Sequence, residues 1–121
     1  MIQCRTIPIF DVDIYLVSSM EEARTFIKGK NPDEDTSILD GCVGICYTVT
    51  DATQKNHRML CVFDGEPNTV VHESVHMARI VLKYCGVRFT QAQDEPLAYM
   101  VAWLADEMLK FIKSTKDAEA A

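Results

Sequence analysis

Two of the three histidines in this 121-residue chain are four residues apart, and a glutamate directly follows the first. The stretch is HESVH, so His72, Glu73 and His76 form an HExxH pattern. On an α-helix, residues i and i+4 lie on one face with Cβ atoms about 6 Å apart. Two imidazoles in that position can bind one Zn²⁺ ion, and Glu73 can act as base toward a water molecule on the ion. The spacing therefore predicts metal-activated hydrolysis, provided that the segment is helical.

The surroundings of the motif favour a functional role over a chance match. Three fixed residues also occur by chance, and two partly buried helical histidines bonded to their neighbours are the alternative interpretation. The flanking residues 69–71, 74–75 and 77–78 are all uncharged, which suits a helix that exposes only its ligands. A zinc site of this kind needs a third protein ligand. Glu95 follows His76 after 18 intervening residues, and Asp94 directly before it is its rival.

HESVH followed by eighteen residues and a glutamate resembles the gluzincin group of zinc metallopeptidases. The chain is far shorter than the large gluzincins and more closely resembles the minigluzincins and small zincin-like proteins of bacteriophages; the resemblance covers residues 69 to about 107. It implies a zincin-like fold, zinc ligands His72, His76 and Glu95, Glu73 as general base, and a peptide or protein substrate. The sequence DEPLAY around Glu95 departs from the most familiar downstream glutamate motifs.

Two further residues share the predicted helical face of Glu95. Tyr99, at i+4, is in a position to donate a hydrogen bond to the oxyanion of a tetrahedral intermediate. Asp106, at i+11, is in a position to orient a ligating imidazole. The ordinary alternatives are an aromatic at the rim of the core for Tyr99 and a solvated helix residue for Asp106.

The elements that must position these residues follow from hydrophobic periodicity and capping signals. Strands are predicted over IFDVDIYLV, CVGICYTVT and RMLCVF, the last two as a hairpin with a long loop. A short helix is predicted over Met20–Lys28, with capping boxes at Ser18 and Ser19 and an end at Gly29. Two long helices are predicted over Thr69–Tyr84, capped by Asn68 and closed by Gly86, and over Asp94–Lys113, with Pro96 in its first turn.

This order predicts the α+β class, with a small antiparallel or mixed sheet of about three strands packed on two long helices plus one short helix. Residues 1–113 are predicted to form a single zincin-like domain, and residues 114–121 a frayed tail.

Composition narrows the range of partners. The net charge of −6 makes nucleic acid an unfavourable partner, because a phosphate backbone is repelled on average. No secretory signal or membrane-spanning stretch is present, so we expect a cytoplasmic protein that does not bind membranes. The five cysteines are odd in number and scattered, which predicts free thiols. The sequence does not indicate an oligomeric state.

We therefore expect a zinc-dependent metallopeptidase that hydrolyses peptide bonds. An extended substrate would add itself to the sheet edge, for which CVGICYTVT and RMLCVF are both candidates. The alternative is a non-catalytic protein-binding or inhibitor module on a zincin-like scaffold, possibly phage-encoded, which the short chain favours and the intact Glu73 disfavours. A third hypothesis is a domain that a closed metal site stabilises.

Overall fold

A mixed four-stranded sheet forms the centre of the computed structural model, which describes residues 1–120. The strands are β1 (Ile2–Ile7), β2 (Val12–Val17), β3 (Gly44–Thr50) and β4 (Asn56–Val62). Their order is β1-β2-β4-β3; β2 and β4 are parallel, and the other two pairs are antiparallel. The α+β class and the mixed sheet are confirmed, with four strands where about three were predicted.

Three helices cover the two faces of the sheet in the described part of the chain. Helix α1 (Met20–Lys30) packs on one face, and helices α2 (Pro67–Tyr84) and α3 (Glu95–Ala120) pack on the other. Side chains alternate between the faces of a strand, so Leu60 of β4 joins the α2–α3 core, whereas its neighbour Cys61 joins the α1 core. The two long helices therefore pack on the sheet as predicted, and the short helix lies on the opposite face.

Strand β1 was not predicted, and β2 is shorter than the periodic segment that predicted it. That segment begins at Ile9, but Ile9 and Asp11 have φ values of 71° and 54°. These left-handed conformations are incompatible with a regular strand, so the two residues form the turn of a β1–β2 hairpin. The amide of Asp11 donates to the carbonyl of Ile7 at 3.0 Å, which closes this turn.

The start of α1 shows which of the two predicted capping residues, Ser18 or Ser19, is the N-cap. Ser19 is the N-cap, and its hydroxyl accepts a hydrogen bond from the amide of Glu22 at 3.3 Å. The predicted end at Gly29 is wrong, because the helix continues through Gly29 to Lys30. It stops at Asn31, whose amide donates to the carbonyl of Ile27 at 2.9 Å.

Helix α2 begins two residues before its predicted start. Pro67 is its first residue and Glu66 its N-cap, so the predicted cap at Asn68 is wrong. Proline suits the first helical position because its fixed φ is helical and its missing amide is not needed there. Asp64 stabilises this start by accepting hydrogen bonds from the amide of Glu66 and the hydroxyl of Thr69. The predicted end is confirmed: the helix stops at Tyr84, followed by Gly86 with φ 73°.

Helix α3 contains Pro96 in its first turn, as predicted, and starts at Glu95. Its predicted end at Lys113 is too early, because the helix continues through residues 114–120. Ala121, the last residue of the predicted frayed tail, lies outside the described residues. The hydroxyls of Ser114 and Thr115 both donate to the carbonyl of Phe111, at 2.9 and 3.0 Å. Among residues 1–120, no helix combines the length and the apolar character required to cross a bilayer.

The loop between β3 and β4 is organised by one carboxylate. Asp51 accepts hydrogen bonds from the amides of Thr53 and Lys55 at 2.9 and 3.0 Å, and from the Thr53 hydroxyl at 2.6 Å. Its other oxygen lies 2.8 Å from Nε2 of the buried His57. These contacts, with the bond to His57 the largest contribution, lower the pKa of Asp51 well below its ordinary value.

Replacement of Asp51 by alanine is expected to lower the urea midpoint of unfolding at pH 7. Because the folded-state pKa is below the unfolded one, the stabilisation is complete above about pH 4 and is lost as the pH falls through the folded-state value. Urea titrations from neutral to acid pH should show the gap to wild type narrowing. Asp33→Ala is the control, since it removes a more exposed loop carboxylate. Equal midpoints for the two variants at pH 7 would contradict this role for Asp51.

Candidate metal centre

Helix α2 brings the two histidines of the HExxH pattern together on its exposed side. Their Nε2 atoms are 3.2 Å apart, and the ring planes meet at 72° with centroids 4.9 Å apart. The His72 side chain is 68% exposed, whereas that of Glu73 is 9% exposed. The helical spacing inferred from the sequence is confirmed: both imidazoles open to solvent beside a carboxylate that faces inward.

The separation of the two ring nitrogens fits one tetrahedral ion. Two nitrogen ligands 2.0–2.1 Å from zinc at the tetrahedral angle are about 3.3 Å apart. The 3.2 Å contact matches that value without a change of rotamer. It also matches a hydrogen bond between neutral rings, in which one Nε2–H donates to the other Nε2. The two Nε2 atoms are therefore close enough to share either a hydrogen bond or a metal ion.

Glu73 lies between α2 and strand β3. Its Oε2 is 3.9 Å from Nε2 of His72, and its backbone carbonyl accepts a hydrogen bond from the Cys46 thiol at 3.0 Å. Burial, with the nearby Glu73 charge second, raises the pKa of Cys46 above its usual range and that of Cys61 to about 12. Both thiols are therefore protonated at neutral pH. All five cysteines are free, as predicted.

A close contact at Gly44 holds α2 against the edge of the sheet. A Cβ atom on Gly44 would lie 2.7 Å from Cγ2 of Thr69 and 3.0 Å from Cγ of Glu73. Sequence reasoning did not include Gly44 in the site, although a glycine inside a predicted strand is a signal for close backbone approach. The contact places β3 directly beside the HExxH residues.

Strand β3 and the HExxH residues together line a cleft on the surface, which we call the HExxH cleft. It consists of two adjoining cavities of about 330 and 420 Å³. Gly44 and Glu73 line both cavities, His76 lines the first and His72 the second. Because β3 is an edge strand and β4 is internal, CVGICYTVT contains the sheet edge that borders the histidines.

The remaining predicted site residues are not gathered around the histidine pair. Within residues 1–120, no three His, Cys, Asp or Glu side chains are placed to hold one ion together. Glu95 opens α3 and Asp94 precedes it, so the third ligand stays a prediction. Tyr99 is 56% exposed on α3, and Asp106 pairs with Lys110 at 2.9 Å. The catalytic role of Tyr99 and the orienting role of Asp106 also stay predictions.

Comparison with known proteins gave no match to any family model, curated protein or solved structure. The resemblance to gluzincins therefore rests on the HExxH motif and the downstream glutamate alone.

Gly44→Ala is expected to destabilise the fold by about 1–3 kcal/mol, because the added methyl group forces α2 away from β3. Gly29→Ala is the matched control: a Cβ at Gly29 meets nothing within 4 Å. Its helical position predicts a gain of about 0.5–1 kcal/mol for that control. Urea unfolding of both variants measures the two effects. A Gly44→Ala protein as stable as wild type would disprove the close contact.

Proposed function

We propose that this protein is a zinc-dependent peptidase in which His72 and His76 bind the metal and Glu73 is the general base. The observation that carries the proposal is the 3.2 Å separation of the two Nε2 atoms beside a buried carboxylate. It is supported by the edge strand that borders the same residues. The side chains needed for two metal contacts and one proton transfer thus share one cleft.

The carboxylate of Glu73 favours a cation at this position. Its side chain is 9% exposed and opens onto the HExxH cleft, where its negative charge attracts a cation. Among residues 1–120, the only basic group within 4 Å of this carboxylate is His72, at 3.9 Å. A divalent ion on the two imidazoles would provide the missing countercharge. The same ion would act as a Lewis acid and would make a bound water acidic enough to be a nucleophile near neutral pH.

Glu73 is placed for the proton transfers of hydrolysis. It sits one residue after His72 on the inward side of the cleft, so it can reach a water molecule held near the imidazoles. As general base it takes a proton from the attacking water and returns it to the leaving amine. Its contacts with β3 restrict its motion, so the carboxylate is oriented before the substrate arrives.

The substrate is proposed to be an extended peptide that pairs with β3. This strand bonds to β4 along one side only, so its other side presents free amides and carbonyls. An added strand would run along Gly44–Cys46, beside His72, Glu73 and His76. Main-chain pairing at that edge would bring a scissile peptide bond into the HExxH cleft.

Glu95, with Asp94 as its rival, is the proposed third ligand. The structure does not group either residue with the histidine pair, so this ligand rests on the sequence spacing alone. Binding through Glu95 would require the start of α3 to lie closer to the pair than it does in this structure. Tyr99, one turn further along α3, would approach with it and could then donate to an oxyanion.

Protein purified without a nickel column is expected to carry about one zinc per chain by elemental analysis, as a structural or catalytic zinc protein does. His72→Ala and His76→Ala should each reduce the zinc content to background, because each removes one of two adjacent ligands. Glu73→Gln is the matched control and should retain the metal. A wild-type protein that neither carries nor binds zinc would exclude the proposal.

Glu73→Gln is expected to lower peptide cleavage by about 10²–10⁴-fold while the zinc content is unchanged, since the amide cannot accept the proton. Mass spectrometry of a mixed peptide library before and after incubation measures the cleavage. Glu119→Gln, at the exposed end of α3, is the control and should cleave like wild type. Cleavage that persists in Glu73→Gln would remove Glu73 from the mechanism.

A non-catalytic binding module is the second candidate function. It is favoured by the grouping of only two metal ligands within the described chain and by the open edge of β3. Under this alternative, wild type binds extended peptides without cleaving any library member, and Glu73→Gln leaves that binding unchanged.

A further inference from the structure

A second cavity lies at the opposite end of β4 from the HExxH cleft. Its volume is about 320 Å³, and the ends of β2 and β4, the β3–β4 loop and the last residue of α2 enclose it. Its charged and polar lining comprises Asp11, Asp13, Gln54, Lys55, Asn56, Arg58 and Tyr84. We call it the Arg58 cavity. It shares no lining residue with the HExxH cleft and does not depend on the proposed function.

Arg58 is the unusual residue of this cavity. It is only 8% exposed, and its guanidinium carbon lies 4.1 Å from the centroid of the Tyr84 ring. Within residues 1–120 the guanidinium has neither a carboxylate within 4.0 Å nor a hydrogen bond to another group. Stacking on the Tyr84 ring fixes the side chain, and the guanidinium nitrogens keep contact with solvent in the cavity. The free guanidinium donors of Arg58 therefore face a cavity rather than a protein partner.

Charges of both signs line the cavity. Lys55 adds a second cation, while Asp11 and Asp13 contribute two carboxylates, so the formal charge of the lining is zero. The carboxylate of Asp13 already accepts a hydrogen bond from Thr6 at 2.6 Å. That of Asp11 has no ion pair in the described chain. A simple anion would be attracted by Arg58 but repelled by Asp11, whereas a molecule with both charges satisfies both residues.

The backbone around the cavity is held in uncommon conformations. Asp11 and Gln54 have φ values of 54° and 70°, in the left-handed backbone region that residues other than glycine rarely adopt. The four contacts of Asp51 described above hold the loop that carries Gln54 and Lys55. Such conformations persist where the surrounding structure enforces them, and they are enriched at binding sites. The lining is thus positioned before a ligand arrives.

We propose that the Arg58 cavity binds a small zwitterion, with its oxyanion on Arg58 and its ammonium group near Asp11. The oxyanion is a carboxylate or a phosphate, since the planar guanidinium presents paired donors to either. The cavity volume is at the lower end of the range for small-molecule sites, which begins at about 300 Å³. A free amino acid or an amine-bearing phosphate has the required charges and size.

Two-dimensional NMR of the full chain tests the proposal with defined probes. The common L-amino acids and phosphoethanolamine are the zwitterions; acetate, inorganic phosphate and ethylammonium carry one charge only. At least one zwitterion should give saturable shifts of the Asn56 and Tyr84 amides and of the Arg58 Nε–H. Each single-charge probe should bind about tenfold or more weakly, because it loses one charge-assisted contact. The preferred zwitterion distinguishes a carboxylate from a phosphate.

Two variants test whether Arg58 and Asp11 contact the charged groups of the ligand. Arg58→Gln and Asp11→Asn should each weaken zwitterion binding about tenfold, the loss of one charged contact. Asparagine tolerates the left-handed conformation of Asp11, so that variant keeps the loop folded even if Arg58→Gln does not fold. Lys110→Gln, on the exposed face of α3, is the control and should bind like wild type.

No saturable shift with any zwitterion, or acetate or phosphate binding as tightly as a zwitterion, would overturn the proposal. Unchanged binding by Asp11→Asn would do the same.

Discussion

The seating of α2 on strand β3 is the constraint on which the HExxH cleft depends. Gly44 lets the helix approach so closely that Thr69 and Glu73 occupy the space a side chain would need. The Cys46 thiol, two residues after Gly44 on β3, donates a hydrogen bond to the backbone carbonyl of Glu73. Because the helix cannot rotate without losing these contacts, His72 and His76 must face solvent beside the sheet edge. The direction of both imidazoles, the inward position of Glu73 and the nearby sheet edge thus follow from one interface.

The electrostatics of the cleft have the same origin. The helix turns Glu73 toward β3 and turns both imidazoles outward, with Nε2 of His72 3.9 Å from the Glu73 carboxylate. Burial and the nearby Glu73 charge raise the pKa of the Cys46 and Cys61 thiols, so both remain protonated and neither is an anionic ligand. A cation shared by the two imidazoles is the simplest way to balance the buried carboxylate. In the Arg58 cavity the charge without a protein partner is positive, and we infer that a ligand balances it.

Local signals predicted the parts of the molecule that local interactions determine. The geometry of His72 and His76 depends only on four residues of one helix, so spacing alone was enough. The β3–β4 hairpin and the Gly86 stop likewise follow from neighbouring residues. Strand β1 was missed because only Ile7 of its six residues is buried, and pairing with β2 stabilises it instead. The edge position of β3 depends on strand order, which no short segment specifies. The position of Glu95 relative to the histidines depends on the path of residues 85–94, which has no periodic signal.

The central claim is that His72 and His76 share one divalent ion. Its most direct test is zinc titration of the uniformly ¹⁵N-labelled chain, followed through the imidazole nitrogens. His57 is an internal control, because its Nε2 is buried against Asp51. The account predicts that the Nε2 resonances of His72 and His76 move together and saturate at one zinc per chain while those of His57 stay in place. Imidazole resonances that do not respond to zinc, or a response confined to one of the two histidines, would contradict it.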